Sequence, residues 1–434
     1  MLYCNQSIQS NVVKLYGNTC DFLFVDRPVC LHFTLHNQVD TSYAYIVLFE
    51  GVKNRMRGSK EVHLVTGGGG YPGYTLGKQL IERGHKVILL DLREPKWPLT
   101  EGMTFIKASI TNVDELEAAF KGVDCVYHMA SYGMSGREQL NTKLIEAVNI
   151  GGTENVIAAC LRNKIQRLVY TSTYNVVFGG EEIRDGDETL PYLPLDKHTD
   201  HYSRTKNVAE QSVLKTNGRE GLRTCALRLA GVYGPEDQRH IPRIVGYLEQ
   251  GLLVATAAPD SVQDFLHVEN LAQGHLLAGE GLTEARGYVA AGQAYFLSDN
   301  CPVNTLQFYK PLIEGLGYSM PKLVIPVQML YFFAFITEWV HFVIARVHNF
   351  QPMLTRTEVY KSCVTHYYSV AKARKDLGYN PGKKNDIMEV LEFYKKEGRM
   401  KKTRKQSAFM YYIVNVIIAL VFASIVMSFL PGVK

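Results

Sequence analysis

The sequence predicts an α/β protein whose core is a doubly wound parallel sheet, and three observations support this prediction. A short apolar run, a glycine-rich turn, a helical stretch and a second apolar run follow one another from Glu61 to Asp91. Strand-like and helix-like stretches then alternate as far as about residue 286. Segments punctuated by Pro and Gly, 234–259 and 287–326, suit a smaller lobe over the carboxyl edge of the sheet, where ligands bind in such folds.

The glycine-rich turn, Thr66–Gly73, has the spacing of a site for a dinucleotide pyrophosphate. Gly67 and Gly70 allow a tight turn and a close approach of the backbone to the phosphates, while Gly73 lets helix and strand pack closely. The amides at the start of the helix then face the phosphates. A flexible linker is the other interpretation of four consecutive glycines, and the strand before them and the helix after them disfavour it.

Asp91 ends the second apolar run and is the residue predicted to bind the adenosine ribose. A carboxylate there accepts hydrogen bonds from both ribose hydroxyls and repels a 2′-phosphate, so the sequence favours NAD over NADP as the cofactor. Arg93 lies nearby and would soften that repulsion, which keeps NADP as the less favoured alternative.

The alternation of segments gives the predicted order of elements. Strands are expected at 62–65, 87–90, 104–107, 125–129, 167–171 and 223–229. Helices are expected at 74–83, 113–120, 144–160 and 205–214, the first ending at Gly84. This is the pattern of a Rossmann-type sheet with helices on both faces.

Length and composition bound the remaining possibilities. The chain has 434 residues, enough for two or three domains, and 46% hydrophobic residues, enough for a sizeable core. Its formal charge of +5 is mild and its basic residues form no aromatic-interleaved patch, so no nucleic-acid role is expected. The eight cysteines show no CxxC pairing and are interpreted as free thiols in a reducing compartment.

We divide the chain into five segments. These are an unassigned extension (1–58), a dinucleotide-binding domain (59–285), a smaller lobe (286–400, with contributions from 179–200 and 235–263), a basic linker (401–407) and an apolar segment (408–430). The extension has no basic start followed by an apolar core, so a secretory signal is not expected. Met56 as the real or an alternative initiator is a hypothesis.

Tyr202 and Lys206 have the YxxxK spacing, which places a phenol and an ammonium one helical turn apart on the same face. Spacing alone is weak, because four other pairs share it: Tyr74/Lys78, Tyr318/Lys322, Tyr368/Lys372 and Tyr379/Lys383. Position favours the first pair, since it opens a helix after the fifth strand, which ends in the hydroxyl cluster 171–173. We therefore predict that Tyr202 and Lys206 are catalytic.

The predicted chemistry is removal of hydride from a secondary alcohol. The alcohol proton needs an acceptor, and a tyrosine with an ordinary pKa of about 10 is a poor one at neutral pH. Lys206 and the oxidised nicotinamide are expected to lower the pKa of Tyr202 by their positive charge, and Lys206 is also expected to hold the nicotinamide ribose.

Two further residues complete the predicted catalytic set. Thr173 would hydrogen-bond the substrate oxygen, with Ser172 as the second choice and capping of the next turn as the structural alternative. Asn149 lies inside the helix that faces the fifth strand and could hold a water that relays protons from Lys206, although a plain helix asparagine is also plausible. His128 is interpreted as a packing residue, and no metal site is expected.

Several motifs resemble those of the extended short-chain dehydrogenase/reductases. They are TGxxGxxG at 66–73, HMAS at 128–131, YTST at 170–173, YSRTK at 202–206 and LRLAGVYGP at 227–235. The chain is similar to the 3β-hydroxysteroid dehydrogenase/isomerase branch, and the runs 130–141 and 349–360 resemble short-chain dehydrogenase/reductase family 42E. The resemblance implies NAD-linked oxidation of a steroid or sterol hydroxyl, with isomerase activity left open, Tyr202 as proton acceptor and Lys206 as cofactor ligand.

Three residues depart from the pattern of that family. Ser109 replaces an aspartate that binds the adenine amine, so adenine recognition is expected to be weaker. Leu229 replaces a proline and Glu269 an aspartate. None of the three belongs to the proton-transfer group.

The segment 408–430 contains 23 residues without a charge, which at 1.5 Å per residue is about 35 Å and long enough to span a bilayer. Seven basic residues in 395–405 precede it, so the sequence predicts a tail anchor in the endoplasmic reticulum with the catalytic domain in the cytosol. A buried core helix is the alternative. A second apolar segment, 329–347, carries Glu338, His341 and Arg346 and is interpreted as a lobe helix that dips into the membrane surface.

Two other functions use the same features. A sugar-nucleotide epimerase or reductase would share the sheet and the tyrosine, and an NAD-sensing membrane scaffold would bind the cofactor without turnover. The expected partners are a small lipophilic steroid or sterol, the membrane through 408–430, and a second copy of the chain in a homodimer.

Overall fold

The computed structural model describes residues 11–16, 19–24, 60–344 and 354–401. It divides the chain into two compact units, Met1–Lys60 and Glu61–Lys434. In the first unit, β1 (Asn11–Tyr16) and β2 (Thr19–Phe24) pair antiparallel, so the unassigned extension contains a hairpin. The predicted segment 408–430 lies outside the described residues.

The second unit starts with the predicted strand, turn, helix and strand. β3 (Val62–Thr66) leads into the helix Tyr71–Glu82 and then β4 (Lys86–Asp91), which pairs parallel with β3. The helix begins three residues before its predicted start because Pro72 lies in the first turn, where a missing amide hydrogen costs nothing. Gly84 follows the helix with φ of +88°, as expected for a glycine stop.

Seven parallel strands form the main sheet, in the spatial order β14-β9-β7-β6-β3-β4-β5. Besides β3 and β4 these are β5 (Met103–Lys107), β6 (Cys125–His128), β7 (Arg167–Thr173), β9 (Arg223–Leu229) and β14 (Ala294–Leu297). The strand order reverses between β3 and β6, so a ligand crevice is expected at the carboxyl ends of these two strands. The parallel sheet predicted from the sequence is confirmed.

Helices on both faces of the sheet bury its side chains. They include Val113–Ala119, Thr142–Arg162, His201–Lys215 and Val268–Gly281. Neighbouring strand residues point to opposite faces: Leu64 belongs to one buried cluster and Val65 to the other. Both side chains are fully buried, as the nearly continuous apolar run of a central parallel strand predicts.

The smaller lobe has its own core. The helices His240–Gln250, Thr305–Gly315 and Ile387–Lys396 share a third buried cluster that includes Tyr233, Phe265 and Phe308. A four-stranded sheet joins β15 (Val303–Asn304), β12 (Val262–Gln263), β17 (His366–Tyr368) and β8 (Ile183–Gly186). Two short pairs are β10 (Gly231–Tyr233) with β13 (Phe265–His267), and β11 (Ala255–Thr256) with β16 (Leu323–Val324). The helices Val327–Ile344 and Arg356–Cys363 complete the lobe, whereas the helix Ala371–Leu377 packs against β14 and the helix Val268–Gly281 of the main sheet.

The seventh strand of the sheet was not predicted. β14 lies within 286–400, the segment assigned to the lobe, yet it pairs with β9 at the edge of the main sheet. Its four residues are too few to show a period, and the surrounding Gly and Pro residues indicated a loop instead. The chain therefore returns to the main sheet after the predicted domain boundary at 285.

Within the part of the chain that the structure describes, one helix has the length and mean hydropathy of a membrane span. It is Thr142–Arg162, and 44% of its most apolar window is buried inside the fold. This helix packs beside the helix His201–Lys215, on the face of the main sheet, and therefore belongs to the globular core.

Candidate active site

The glycine turn between β3 and the helix Tyr71–Glu82 leaves no room for a side chain at most of its glycines, two of which belong to the predicted motif. Gly67 has φ of +74°, and a Cβ there would lie 2.9 Å from the backbone nitrogen of Ala130. A Cβ on Gly73 would collide with the carbonyl oxygen of Gly67. At Gly70 a Cβ would come no closer than 3.4 Å to the surrounding protein, so absence of a side chain here leaves room for a ligand.

The helix that follows is suited to an anion. Gly70 is its N-cap residue and offers no side-chain oxygen, so the amides of the first turn have no side-chain cap there. These amides and the positive end of the helix dipole fit a pyrophosphate. The turn therefore fits the dinucleotide that the sequence predicted.

Asp91 lies at the end of β4, beside this turn. One carboxylate oxygen accepts a hydrogen bond from the amide of Gly69 at 3.1 Å, and the other accepts from the amide of Arg93 at 3.2 Å. These bonds orient the carboxylate at the carboxyl edge of the sheet, and each oxygen keeps capacity for a ribose hydroxyl. The position fits the predicted NAD site.

Ser109 stands just beyond the end of β5, at the same sheet edge. Its hydroxyl lies 2.8 Å from the hydroxyl of Thr111, and its amide donates to Oε2 of Glu115 at 2.8 Å. Residue 109 therefore lacks the carboxylate that the family pattern has at this position. Weaker adenine recognition stays a prediction.

Tyr202 and Lys206 lie in the first turns of the helix His201–Lys215, whose N-cap is Asp200. The carboxylate of Asp200 accepts from the amide of Ser203 at 2.8 Å, which starts the helix four residues before its predicted start at Thr205. Both candidate catalytic side chains are almost fully buried, with 5% of Tyr202 and 2% of Lys206 exposed.

Lys206 reaches from this helix to the end of β7. Its Nζ donates to the carbonyl oxygen of Thr171 at 2.5 Å and lies 4.1 Å from the centre of the Tyr170 ring. Burial lowers the pKa of Lys206 to about 7, although the negative charge of Glu210 opposes this effect. The ammonium is therefore fixed against the strand that carries the hydroxyl cluster.

The environment of Tyr202 differs from the prediction. Burial raises the pKa of its phenol to about 12, while the charge of Arg239 and a hydrogen bond with Ser131 oppose the increase. The protein groups thus do not produce the lowered pKa expected from the sequence. The reason is that Lys206 is directed at Thr171 and Tyr170, while desolvation dominates at the phenol.

A second ammonium, which the sequence did not reveal, lies near the tyrosine. Nζ of Lys361 is 5.7 Å from the centre of the Tyr202 ring and 3.0 Å from Oδ2 of Asp200. It also donates to the hydroxyl of Ser203 at 3.3 Å. Lys361 belongs to the helix Arg356–Cys363, far away in the chain, so no spacing motif connects it to Tyr202. Ser131, the hydrogen-bond partner of Tyr202, was also not predicted. Its one signal in the sequence is its position as the last residue of the HMAS motif.

The structure distinguishes between the two candidate hydroxyls at the end of β7. Ser172 donates to Glu210 in a fully buried network, so its hydroxyl hydrogen is already used. The oxygen of Thr173 accepts from Nδ2 of Asn175 at 2.9 Å and from the amide of the same residue at 3.3 Å. Because the oxygen of Thr173 is the acceptor in both bonds, its hydroxyl hydrogen is available for donation to a substrate oxygen.

Asn149 lies in a π-helical turn, Ala147–Gly151, in the middle of the helix Thr142–Arg162. Its side-chain oxygen accepts from the amide of Tyr132 at 2.9 Å, and its Nδ2 donates to the carbonyl of Tyr132 and to the hydroxyl of Thr205, each at 3.0 Å. These bonds connect the loop that carries Ser131 to the helix of Tyr202. Because both amide hydrogens are used, the relay water predicted from the sequence could contact this side chain only by donating to the second lone pair of Oδ1.

His128 connects the glycine turn to the π turn. Thr153 donates to the carbonyl of Asn149 at 2.7 Å, so its oxygen accepts from Nε2 of His128 at 3.0 Å. Nδ1 of His128 then accepts from the hydroxyl of Thr66 at 2.8 Å. Burial lowers the pKa of His128 to about 3, so the ring is neutral, and its geometry matches the packing role that the sequence indicated.

Comparison with known proteins assigns the family. The profile of the "3-beta hydroxysteroid dehydrogenase/isomerase family" matches residues 64–327, which include the glycine turn, Tyr202 and Lys206. The chain belongs to this family. The resemblance drawn from the motifs is thereby confirmed, and the chain is an extended short-chain dehydrogenase/reductase of oxidoreductase type.

Two relatives match most of the length of this member of the 3-beta hydroxysteroid dehydrogenase/isomerase family. "Short-chain dehydrogenase/reductase family 42E member 1" of Danio rerio is 53% identical over 377 residues, which are 85% of this chain and 97% of the relative. A "3-beta-hydroxysteroid dehydrogenase" of Mycolicibacterium neoaurum is 34% identical over 324 residues, which are 73% of this chain and 86% of the relative.

Solved structures share the fold of this family member. The UDP-glucose 4-epimerase of Thermus thermophilus, solved in complex with NAD, has a TM-score of 0.58 and 21% identity. The match covers 77% of this chain and 99% of the epimerase. At this level of identity the likeness shows the fold alone.

Proposed function

We propose that the chain is an NAD-dependent dehydrogenase of a steroid or sterol, which oxidises a 3β-hydroxyl group in the crevice at the carboxyl edge of the main sheet. The observation that carries the proposal is the anchoring of Lys206 to the carbonyl of Thr171. This contact brings the YxxxK pair to the end of β7, two residues before Thr173. No other YxxxK pair of the described chain lies on the helix that follows this strand.

The residues have separable tasks in such a reaction. Bound NAD would supply the hydride acceptor. Tyr202 takes the alcohol proton, and Thr173 donates a hydrogen bond to the substrate oxygen. Lys206, with its pKa of about 7, can hold the nicotinamide ribose and carry positive charge to the site at neutral pH. Since the pKa of Tyr202 is about 12 without that help, the phenol is neutral until substrate and cofactor are bound.

Two observations support a lipophilic substrate. The relative from Mycolicibacterium neoaurum is named a 3-beta-hydroxysteroid dehydrogenase and matches most of this chain. The lobe also exposes large apolar side chains, among them Trp339 and Phe342. We further propose that the uncharged segment 408–430 anchors the enzyme in the endoplasmic reticulum membrane, with the active site in the cytosol.

The test uses the full-length chain in detergent with NAD and a panel of 3β-hydroxysterols, and NADH formation is the readout. The wild type should form NADH with at least one sterol, and Tyr202→Phe should lower kcat by about 10²- to 10⁴-fold while NAD still binds. Equal rates in both proteins would overturn the role of Tyr202. Turnover of UDP-glucose in place of the sterols would establish the epimerase class instead, and NAD binding without turnover of any substrate would establish a sensing role.

A further inference from the structure

Three side chains of metal-ligand type meet at the amino-terminal edge of the main sheet. Glu61 directly precedes β3, His63 is the second residue of β3, and His85 directly precedes β4. Each residue offers one ligand atom, and these three atoms all lie within 4.8 Å of one another. The centres of the two imidazole rings are 4.4 Å apart. Tyr202 and Lys206 lie at the opposite, carboxyl edge of the sheet, so this cluster is separate from the candidate active site.

The alternation of side chains along the strands explains why the three residues meet. Val65 on β3 and Val87 on β4 belong to the same buried cluster, on one face of the sheet. Two residues earlier in each segment are His63 and His85, so both histidines are directed toward that face. Glu61 lies a further two residues before His63 and forms an ion pair with it. No spacing motif predicted this group, because a whole helix separates the two histidines in the chain.

His63 is the most deeply buried member of the cluster, with 3% of the residue exposed. Its Nε2 lies 3.1 Å from Oε2 of Glu61, yet neither ring nitrogen makes a hydrogen bond of acceptable geometry with the described part of the chain. Nδ1 of His85 is also buried without a hydrogen bond to the residues that the structure describes. Buried polar atoms in native proteins are nearly always satisfied, so three such nitrogens at one place indicate a ligand.

A network of ion pairs is the other interpretation of this cluster. Oε1 of Glu61 lies 2.7 Å from Nη2 of Arg167. Burial lowers the pKa of His63, but contacts with Cys125 and Glu61 outweigh burial and raise it to about 9. A proton on His63 therefore competes with a metal ion at neutral pH. Because neither N–H of that imidazolium has an acceptor of good geometry among the described residues, the ion pairs leave the ring only partly satisfied.

The types of ligand atom select zinc. Two imidazole nitrogens and one carboxylate oxygen form a set that holds Zn²⁺ in proteins, with water in the fourth position. Mg²⁺ and Ca²⁺ prefer oxygen ligands alone. Ligand atoms around tetrahedral zinc are about 3.3 to 3.6 Å apart, so the three side chains need to approach one another by at most about 1.5 Å. The side chain of Glu61 is 30% exposed, which gives an ion a path into the site from solvent.

We propose that Glu61, His63 and His85 bind one zinc ion, with a water molecule as the fourth ligand. Oε2 of Glu61 is the carboxylate ligand, because Oε1 is held by Arg167, which orients the group as outer-shell partners do. When the metal binds, the proton of His63 leaves to solvent and a ring nitrogen supplies its lone pair. The positive charge of Arg167 weakens binding, so we expect a dissociation constant in the micromolar range. The ion links the start of β3 to the turn before β4 and stabilises this edge of the sheet.

The test measures zinc bound by the full-length chain in detergent, without a histidine tag. The protein is treated with a chelator, dialysed and titrated with Zn²⁺ at pH 8, and bound zinc is measured by elemental analysis and calorimetry. His85→Gln removes one ligand at a partly exposed position, where the fold tolerates a polar side chain. His341→Gln is the matched control, since His341 is also partly exposed but lies in the smaller lobe.

The wild type and His341→Gln should each bind one more zinc ion per chain than His85→Gln. Zinc at about one hundred times its dissociation constant should raise the melting temperature of these two proteins by about 3 °C or more, and that of His85→Gln by less. Zinc bound elsewhere in the chain is common to all three proteins and cancels in the difference. Equal binding by His85→Gln, or no binding by the wild type, would overturn the proposal and leave the ion pairs as the explanation of the cluster.

Cobalt in place of zinc reports the geometry of the site. Tetrahedral Co²⁺ absorbs visible light much more strongly than octahedral Co²⁺, so the wild type and His341→Gln should develop intense visible bands that His85→Gln lacks. Weak octahedral bands in the wild type would mean that the three residues do not enclose the ion, and would overturn the proposal. Sterol turnover is not the readout, so failure of the zinc site and failure of the proposed function are distinguishable.

Discussion

The ammonium of Lys361 lies over the ring of Tyr202, 5.7 Å from its centre, while it pairs with Asp200 at the start of the same helix. The lobe thus contributes a positive charge next to the proposed proton acceptor. Burial raises the pKa of Asp200, and the Lys361 charge and two hydrogen bonds from Ser203 more than offset this, so the pKa of Asp200 is lowered overall. Lys361 therefore connects the lobe to the helix that carries the catalytic pair.

Replacement of Lys361 by Met should destabilise the protein. A carboxyl group with a lowered pKa stabilises the folded state above its ordinary pKa of about 4, and this contribution disappears as the pH falls through the folded value. Lys361→Met removes it and leaves Asp200 buried without its partner, which costs about 3 kcal/mol at pH 7. Thermal unfolding at pH 7 measures the loss. Lys361→Arg keeps the charge and should retain most of the stability; an equally unstable Arg variant would show that packing, rather than charge, is lost.

Lys206 should make the stability of the protein depend on pH in the alkaline range. Its folded pKa is about 7 and its ordinary value is 10.5, so the unfolded chain binds more protons between these two values. Unfolding free energy should therefore rise with pH in this window, by at most about 1.4 kcal/mol per pH unit. Lys206→Met should remove this slope. Chemical denaturation of both proteins at pH 7, 8 and 9 provides the comparison, and equal slopes would contradict the assignment.

Glu210, on the helix His201–Lys215, is expected to be a costly carboxylate to neutralise. Its fully buried side chain accepts from Nε and Nη2 of Arg228 at 2.9 and 2.8 Å and from the hydroxyl of Tyr192 at 2.8 Å. Glu210→Gln leaves the guanidinium without a charge partner, and we expect a loss of about 3 to 5 kcal/mol. Glu117→Gln is the matched control, since its pair with Arg162 is exposed and should contribute no more than about 1 kcal/mol.

If the control variant lost as much stability as Glu210→Gln, burial could not be the cause of the effect.

Because the charge of Glu210 also opposes the decrease in the pKa of Lys206, the Gln variant should show an alkaline limb of kcat/KM at lower pH than the wild type. A merely structural role would leave that limb in place.

Asp91 should control the choice between NAD and NADP. Asp91→Ala removes the ribose acceptor and the charge that opposes a 2′-phosphate, so the KM for NAD should increase by about ten- to a hundredfold and the preference over NADP should decrease. Asp91→Asn keeps an acceptor and loses the charge, which separates the two effects. The ratio of kcat/KM for NAD and NADP is the measurement. An unchanged ratio in both variants would contradict the role assigned to this carboxylate.

The sequence predicted those parts of the site that depend on contacts between neighbouring residues. The glycine turn, β4 ending at Asp91, and the helix of Tyr202 are visible because each places its signal within one strand or one helical turn. Even so, the N-cap at Asp200 was not predicted, because capping depends on one side chain and produces no periodic pattern in the sequence.

Contacts between distant parts of the chain could not be predicted. Lys361 reaches Tyr202 only after the lobe has folded onto the main sheet, and nothing in its local sequence distinguishes it from other surface lysines. The burial of Tyr202, which raises the pKa of its phenol, could not be predicted for a related reason, since spacing gives the distance along a helix but not the burial of a side chain. The bonds of Asn149 to Tyr132 and Thr205 depend in the same way on tertiary structure.

The return of the chain to the main sheet at Ala294–Leu297 has a consequence for the history of the two lobes. The polypeptide crosses from sheet to lobe, comes back to add an edge strand beside Arg223–Leu229, and leaves again. A C-terminal cassette exchanged at residue 285 would have to bring an edge strand that fits β9, because otherwise β9 would keep an unpaired edge that invites association with other chains. The smaller lobe therefore cannot be exchanged independently of the main sheet, because the two share this segment of chain.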